Sequence, residues 1–238
     1  MSRKFTLHKR YYGEDYDLYK KKTITIKEGV TVLVGCNGAG KTTLLHQIKD
    51  KLKKDNIPVI SFDNLHEGGS RAISAAGFYG NFNFMATAMA SSEGENIVMN
   101  LGNLAYNLGG FIKTGKSGKK SDQLSDSLAK AMWGDKEPEK AEEVSNERWL
   151  LLDAVDSGLS VDNIIELKEL LFDTILKDKG DKEVYIIVSA NEYEMARNEN
   201  CFDVYNGKYL KFKDYEEYRN FIIDSRNQKD KRYDEEEK

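Results

Sequence analysis

The run from Val30 to Leu45, VTVLVGCNGAGKTTLL, leaves this chain few ways to fold. Val30 to Val34 is a β-branched apolar stretch of the kind that forms a buried strand. Gly35 to Thr42 then fits the pattern G-x-x-x-x-G-K-[S/T], and Thr43, Leu44, Leu45 and Ile48 continue at helical spacing. A strand, a glycine-rich turn and a helix in that order gather backbone N–H groups and the positive end of a helix at one point, which is a receptor for phosphate. Asn37, Gly38, Ala39, Gly40, Lys41, Thr42 and Thr43 are therefore expected to line a nucleotide site. Lys41 would reach the β- and γ-phosphates of ATP, and the Thr42 hydroxyl would ligate Mg²⁺. The same pattern recurs at Gly110 to Ser117, but helical spacing precedes it and no packed helix can start at Ser117-Gly118-Lys119-Lys120, so that copy is read as a decoy.

The remaining chain reads as an α/β domain. Lys22 to Lys27 alternates polar and apolar residues and predicts a half-exposed strand, with Phe5, Tyr11, Tyr12, Tyr16 and Tyr19 before it. An aromatic there would either stack on adenine or pack an edge sheet. Val59 to Phe62, Trp149 to Asp153 and Val184 to Val188 predict further strands, and Asn206-Gly207 predicts a hairpin between Cys201–Val204 and Lys208–Phe212. A long helix follows Ser160, with an apolar face of Ile164, Ile165, Leu167, Leu170, Leu171, Ile175 and Leu176. A final helix runs from Tyr215 to Ser225, and residues 227–238 read as a disordered charged tail. One domain is expected over residues 1–226, with a helical lobe and insertion at about 63–147. Within that insertion Lys113, Lys116, Lys119 and Lys120 form a basic loop, read either as surface or as a phosphate-backbone contact.

Composition excludes several classes. Charged residues make up 32% and no apolar run has the length of a bilayer, so no membrane span is expected. The start, Met1 to Phe5, lacks an apolar signal core, and two cysteines make no disulfide framework, which together favour a cytoplasmic setting. The net charge of −4 argues against a protein that is basic all over, though not against a local basic patch.

Taken together, the loop variant G-x-N-G-x-G-K-T-T at Gly35–Thr43, Ser92-Glu93-Gly94-Glu95, Leu150-Leu151-Leu152-Asp153 and the strand ending at Ser189 resemble the ATP-binding-cassette ATPases. The closest likeness is to their soluble branch, which includes RecF-type, structural-maintenance-of-chromosomes-type and overcoming-lysogenization-defect-type ATPases. The compact form, without arms, is similar to ATPases of phages and mobile elements. The resemblance implies a P-loop NTPase fold with a cassette-like mixed sheet, flanking helices and a small helical lobe. It implies Mg²⁺ on Thr42 and Asp153, and an ATP-dependent homodimer in which Ser92, Gly94 and Glu95 of one copy cover the γ-phosphate held by the other. A rival for that covering motif is Leu124 to Leu128. The family's general-base glutamate is Ala154 here, which leaves Asp156 as the nearby substitute, and its histidine after the next strand is replaced by Ser189-Ala190-Asn191. The implied function is a slow ATPase that switches on nucleic acid or on a protein partner. The alternatives are a nucleotide sensor without turnover and, third, the ATPase subunit of a transporter.

Overall fold

The computed structural model describes residues 1–8, 17–63, 108–115, 145–177 and 179–234. Among these residues, β1 (Ser2–Thr6) pairs antiparallel with β2 (Thr23–Lys27) as a separate ribbon. The main sheet contains β3 (Gly29–Val34), β4 (Val59–Asp63), β5 (Glu147–Asp153), β6 (Glu183–Ser189), β7 (Cys201–Asp203) and β8 (Lys208–Leu210). Its order is β4-β5-β6-β3-β7-β8, parallel except for the β7–β8 pair. The helices are α1 (Lys41–Lys54), α2 (108–114), α3 (Val161–Lys168), α4 (Tyr193–Ala196) and α5 (Tyr215–Asp234). A wider π-helical stretch, Glu169–Thr174, prolongs α3 into Ile175–Lys177.

Period-two alternation along the central strands builds a core on each face of the sheet. Val30, Val32 and Val34 of β3, Leu150 and Leu152 of β5, and Val184, Ile186 and Val188 of β6 pack with residues of α2, α3, α4 and α5. Leu33, Trp149, Leu151, Tyr185 and Ile187 face the other way, against α1 and the β1–β2 ribbon. Trp149 is the pivot of that second face. Its indole stacks on the Tyr185 ring at 4.1 Å and meets the edge of Phe5 at 5.3 Å, which fastens β1 to the sheet.

Helix α1 carries the chain from β3 to β4, past the two positions that β5 and β6 later fill. The C-terminal ends of β3, β4, β5 and β6 thus lie along one edge, the edge at which open parallel α/β sheets bind ligands. Here they present Val34, Asp63, Asp153 and Ser189, with Asp63 and Asp153 in register as neighbours.

Two sequence expectations change, and the decoy reading of the second pattern match holds. The last helix continues past Ser225 to Asp234, so much of the tail expected to be disordered from residue 227 is helical. Ile165, placed on the apolar face of α3, is 41% exposed and stands outside the buried core. Gly110 to Thr114 lie inside α2, which ends at Gly115 with a φ of 70°, so no strand–loop–helix unit exists at the second pattern match. Phe111 and Ile112 of α2 are buried, and the Arg148 guanidinium donates to the Ile112 carbonyl at 2.9 Å, which pins the helix to β5. The covering motif at Ser92, Gly94 and Glu95, its rival at Leu124 to Leu128, Tyr11, Tyr12, Tyr16 and the lysines at 116, 119 and 120 lie outside the described residues.

Candidate functional site

The loop Gly35–Thr42 leaves β3 and enters α1 as the residue spacing requires. Two of its glycines are dictated by geometry. Gly40, at φ 93°, immediately precedes α1, and a Cβ there would meet the Tyr19 ring at 3.3 Å. Gly38, at φ 79°, lies beneath the end of the Lys229 side chain, whose Nζ would be 2.9 Å from a Cβ. Both conformations favour glycine. Asn37 and Gly38 form the exposed rim, Ala39 is buried, and Thr42 is exposed in the first turn of α1 beside half-buried Thr43.

Lys41 is nearly buried, and its Nζ donates to the Gly35 carbonyl at 2.8 Å and to the Cys36 carbonyl at 3.4 Å. Burial holds its pKa below the ordinary lysine value, while Cys36 and the Asp156 and Asp153 carboxylates pull it partly back. Both acids that the sequence singled out thus act electrostatically on this ammonium.

Asp153, at the end of β5, is held by a residue whose role the sequence did not suggest. The Ser189 hydroxyl donates to the Asp153 carboxylate and accepts the N–H of Ala154 at 2.8 Å. The β5–β6 register brings these strand ends together. Where the family resemblance reads only a missing histidine, this chain has a serine that orients the acid.

Ala154 adopts φ 51°, the left-handed region that ordinary residues seldom occupy. Ala154→Gly should therefore raise stability by about 0.5–1 kcal/mol, because the strain of a Cβ in that region is relieved. Thermal unfolding of the pair checks this, and a lower melting temperature for the glycine variant would contradict it.

The left-handed turn sends Asp156 into the interior, where it is fully buried. Its Oδ2 accepts the N–H groups of Asn191 at 2.7 Å and Glu192 at 2.8 Å, which brackets the β5 turn to the segment after β6. Its Oδ1 has no hydrogen-bond partner among the described residues. Burial pushes the carboxyl above the usual carboxylate range despite the two amides. Asn191 closes this cluster, since its side chain donates to the Ser157 hydroxyl at 3.0 Å and its carbonyl accepts from the Tyr218 hydroxyl at 3.1 Å.

Tyr19 is buried under the loop, donating its hydroxyl to the Gly40 carbonyl at 3.0 Å, so it supports the loop and offers no open ring face for a base. Beside Asp153 a cavity of about 220 Å³ opens between α1 and β4, lined by His46, Lys49, Ser61, Asp63, Leu151 and Asp153 among others. Hydroxyl and carboxylate oxygens are hard donors, so Thr42 and Asp153 suit Mg²⁺ chemically.

No protein-family model matches the chain, and no curated relative matches it. Among solved structures it is similar to a nucleotide-free ATP-binding cassette from an ABC transporter, at 14% identity and a TM-score of 0.43, over 94% of this chain and 98% of that one. The chain's own topology and loop define an α/β P-loop NTPase-like fold with a mixed sheet and flanking helices. Among the described residues no helix is long and apolar enough to cross a membrane.

Proposed function

We propose that the chain binds MgATP at Gly35–Thr43 and hydrolyses it slowly, as a cassette-type ATPase of the soluble RecF-like and SMC-like branch. The observation that supports this best is a phosphate loop whose carbonyls hold the Lys41 ammonium, at the edge of a parallel sheet where β5 ends in Asp153. Lys41 would move from the Gly35 and Cys36 carbonyls to phosphate oxygens, whose opposite charge makes the stronger partner. Thr42 and Asp153 would hold Mg²⁺, with Ser189 fixing the Asp153 carboxylate. When bound, that ion neutralises charge on the phosphates.

Asp156 is the proposed general base, acting through Oδ1 while Oδ2 keeps its bracket. A general base is worth about 10²–10⁴-fold, so one already committed to two amides fits slow turnover. Two copies would close over MgATP, with Ser92, Gly94 and Glu95 of each covering the γ-phosphate of the other. That dimer would act as a switch on nucleic acid or on a protein partner. A second reading, a nucleotide sensor without turnover, draws on Ala154 in the glutamate position and on the structural duty of Asp156.

Calorimetric ATP titration, light scattering with and without MgATP, and phosphate release with and without DNA test the proposal on the full chain. Binding, a doubled mass with MgATP and slow release are expected. Absence of ATP binding overturns it, binding with no release leaves the sensor, and an unchanged mass removes the dimer switch.

A further inference from the structure

Helix α5 carries a row of polar groups directed at the site. Tyr218, Ser225 and Lys229 are seven and four residues apart, spacings that place them on one face of a helix. Their contacts run in order across two loops. The Tyr218 hydroxyl donates to the Asn191 carbonyl at 3.1 Å, the Ser225 hydroxyl accepts the Cys36 N–H at 3.0 Å, and the Lys229 ammonium donates to the Asn37 carbonyl at 3.3 Å. Beyond Ser225, residues 226–228 and 230 are exposed while Lys229 is partly covered. Among the described residues, the side chain of this stretch that contacts the phosphate loop is thus a cation.

Its position on the loop is specific. The Lys229 ammonium lies 2.9 Å from the place a Gly38 Cβ would occupy, and its Cε lies 3.2 Å from it, so the end of the side chain covers the exposed rim formed by Asn37 and Gly38. Lys41 reaches the same loop from α1, resting on the Gly35 and Cys36 carbonyls. Two ammonium groups from opposite ends of the sequence therefore rest on carbonyls of one eight-residue turn. A neutral carbonyl is a weaker partner for an ammonium than a phosphate oxygen is, because the phosphate adds a full opposite charge. An ammonium this near the phosphate path can exchange one for the other through rotation of its own side chain.

We propose that Lys229 is a second phosphate-binding cation of the site, delivered by the C-terminal helix to the Asn37–Gly38 rim and contacting the polyphosphate of the bound nucleotide. The proposal rests on the reading of Gly35–Thr43 as a nucleotide site. It gives α5 a function beyond packing: the helix that ties the Asn191 segment to the phosphate loop also brings charge to the ligand.

Lys229→Met is the decisive variant, because methionine keeps an unbranched apolar stem over Gly38 and removes only the charge. Affinity for ATP and for inorganic tripolyphosphate is measured by calorimetry in wild type, Lys229→Met, Lys229→Arg and Lys41→Ala, each at low and high salt. Both ligands are expected to bind Lys229→Met about tenfold more weakly at low salt, the value of one hydrogen bond to a charged group. The deficit should shrink as salt screens the contact, and Lys229→Arg should retain most of the affinity. Lys229→Met binding as tightly as wild type overturns the proposal, and so does an equal loss in the methionine and arginine variants, which would mean that shape rather than charge matters. If wild type binds neither ligand, the nucleotide site itself fails. If wild type binds and Lys41→Ala does not, while Lys229→Met is normal, only the role of Lys229 fails.

Discussion

Lys41→Ala is expected to weaken ATP binding at least about a hundredfold while the protein melts no lower than wild type. Hydrogen bonds to charged groups contribute about 1.5–3 kcal/mol each, and two such bonds to phosphate oxygens amount to a factor of about 10² or more. The stability half follows from linkage. Burial lowers the folded-state pKa of Lys41, so the native protein binds that proton less tightly than the unfolded chain does. Stability associated with this group therefore rises with pH from the depressed value toward the ordinary lysine range near 10.5, and at neutral pH the charged ammonium opposes folding. Removing it takes away that opposition, at the cost of its bonds to the Gly35 and Cys36 carbonyls. Calorimetric ATP titration and thermal unfolding measure the two halves separately. Retained affinity would show that Gly35–Thr43 is not the phosphate site, and a collapse in melting temperature would show that Lys41 serves the fold.

The parts of this structure that could be read in advance share a physical property. Strands β3, β5 and β6 are buried on both faces, so their sequences are continuous apolar runs with no competing interpretation. The Asn206-Gly207 turn was legible because Gly207 needs its φ of 62° and Asp203 accepts the Asn206 N–H to close it. By contrast β1 buries only Phe5, and its strand character comes from pairing with β2 across the chain. The extension of α5 to Asp234 gave no apolar signal, because among the described residues the Ser225 hydroxyl and the Lys229 ammonium are what tie it to the phosphate loop. Ser189 was invisible for a different reason: its meaning lies in the β5–β6 register, which puts its hydroxyl against Asp153. Asp156 shows where spacing misleads. Three residues past Asp153, it would lie on the opposite face of an extended chain, but the left-handed Ala154 breaks that extension and turns the side chain inward.

That inward turn lets two substitutions separate the roles of Asp156. Asp156→Ala deletes the acceptor for the Asn191 and Glu192 amides, and leaving two such donors unpaired should destabilise the protein by about 2–4 kcal/mol. Asp156→Asn retains an oxygen for both amides and removes the charge. Because burial raises the native pKa of this carboxyl above its ordinary value of 3.8, the folded state holds the proton more tightly than the unfolded chain. The stability tied to it is full below the unfolded pKa and is lost as pH rises through the folded one, so at neutral pH the charge is a liability that asparagine removes. Asp156→Asn should thus melt at or above wild type at neutral pH, with a flatter dependence on pH through the acid range. If Oδ1 orients the attacking water, the same variant should still bind ATP while turnover drops by about 10²–10⁴. Ala154→Glu, which places a carboxylate directly after Asp153, should then raise turnover. A normal rate in Asp156→Asn together with a large stability loss in Asp156→Ala would make Asp156 a structural bracket alone, and the water-orienting group would have to come from residues 64–107, residues 116–144 or the partner copy.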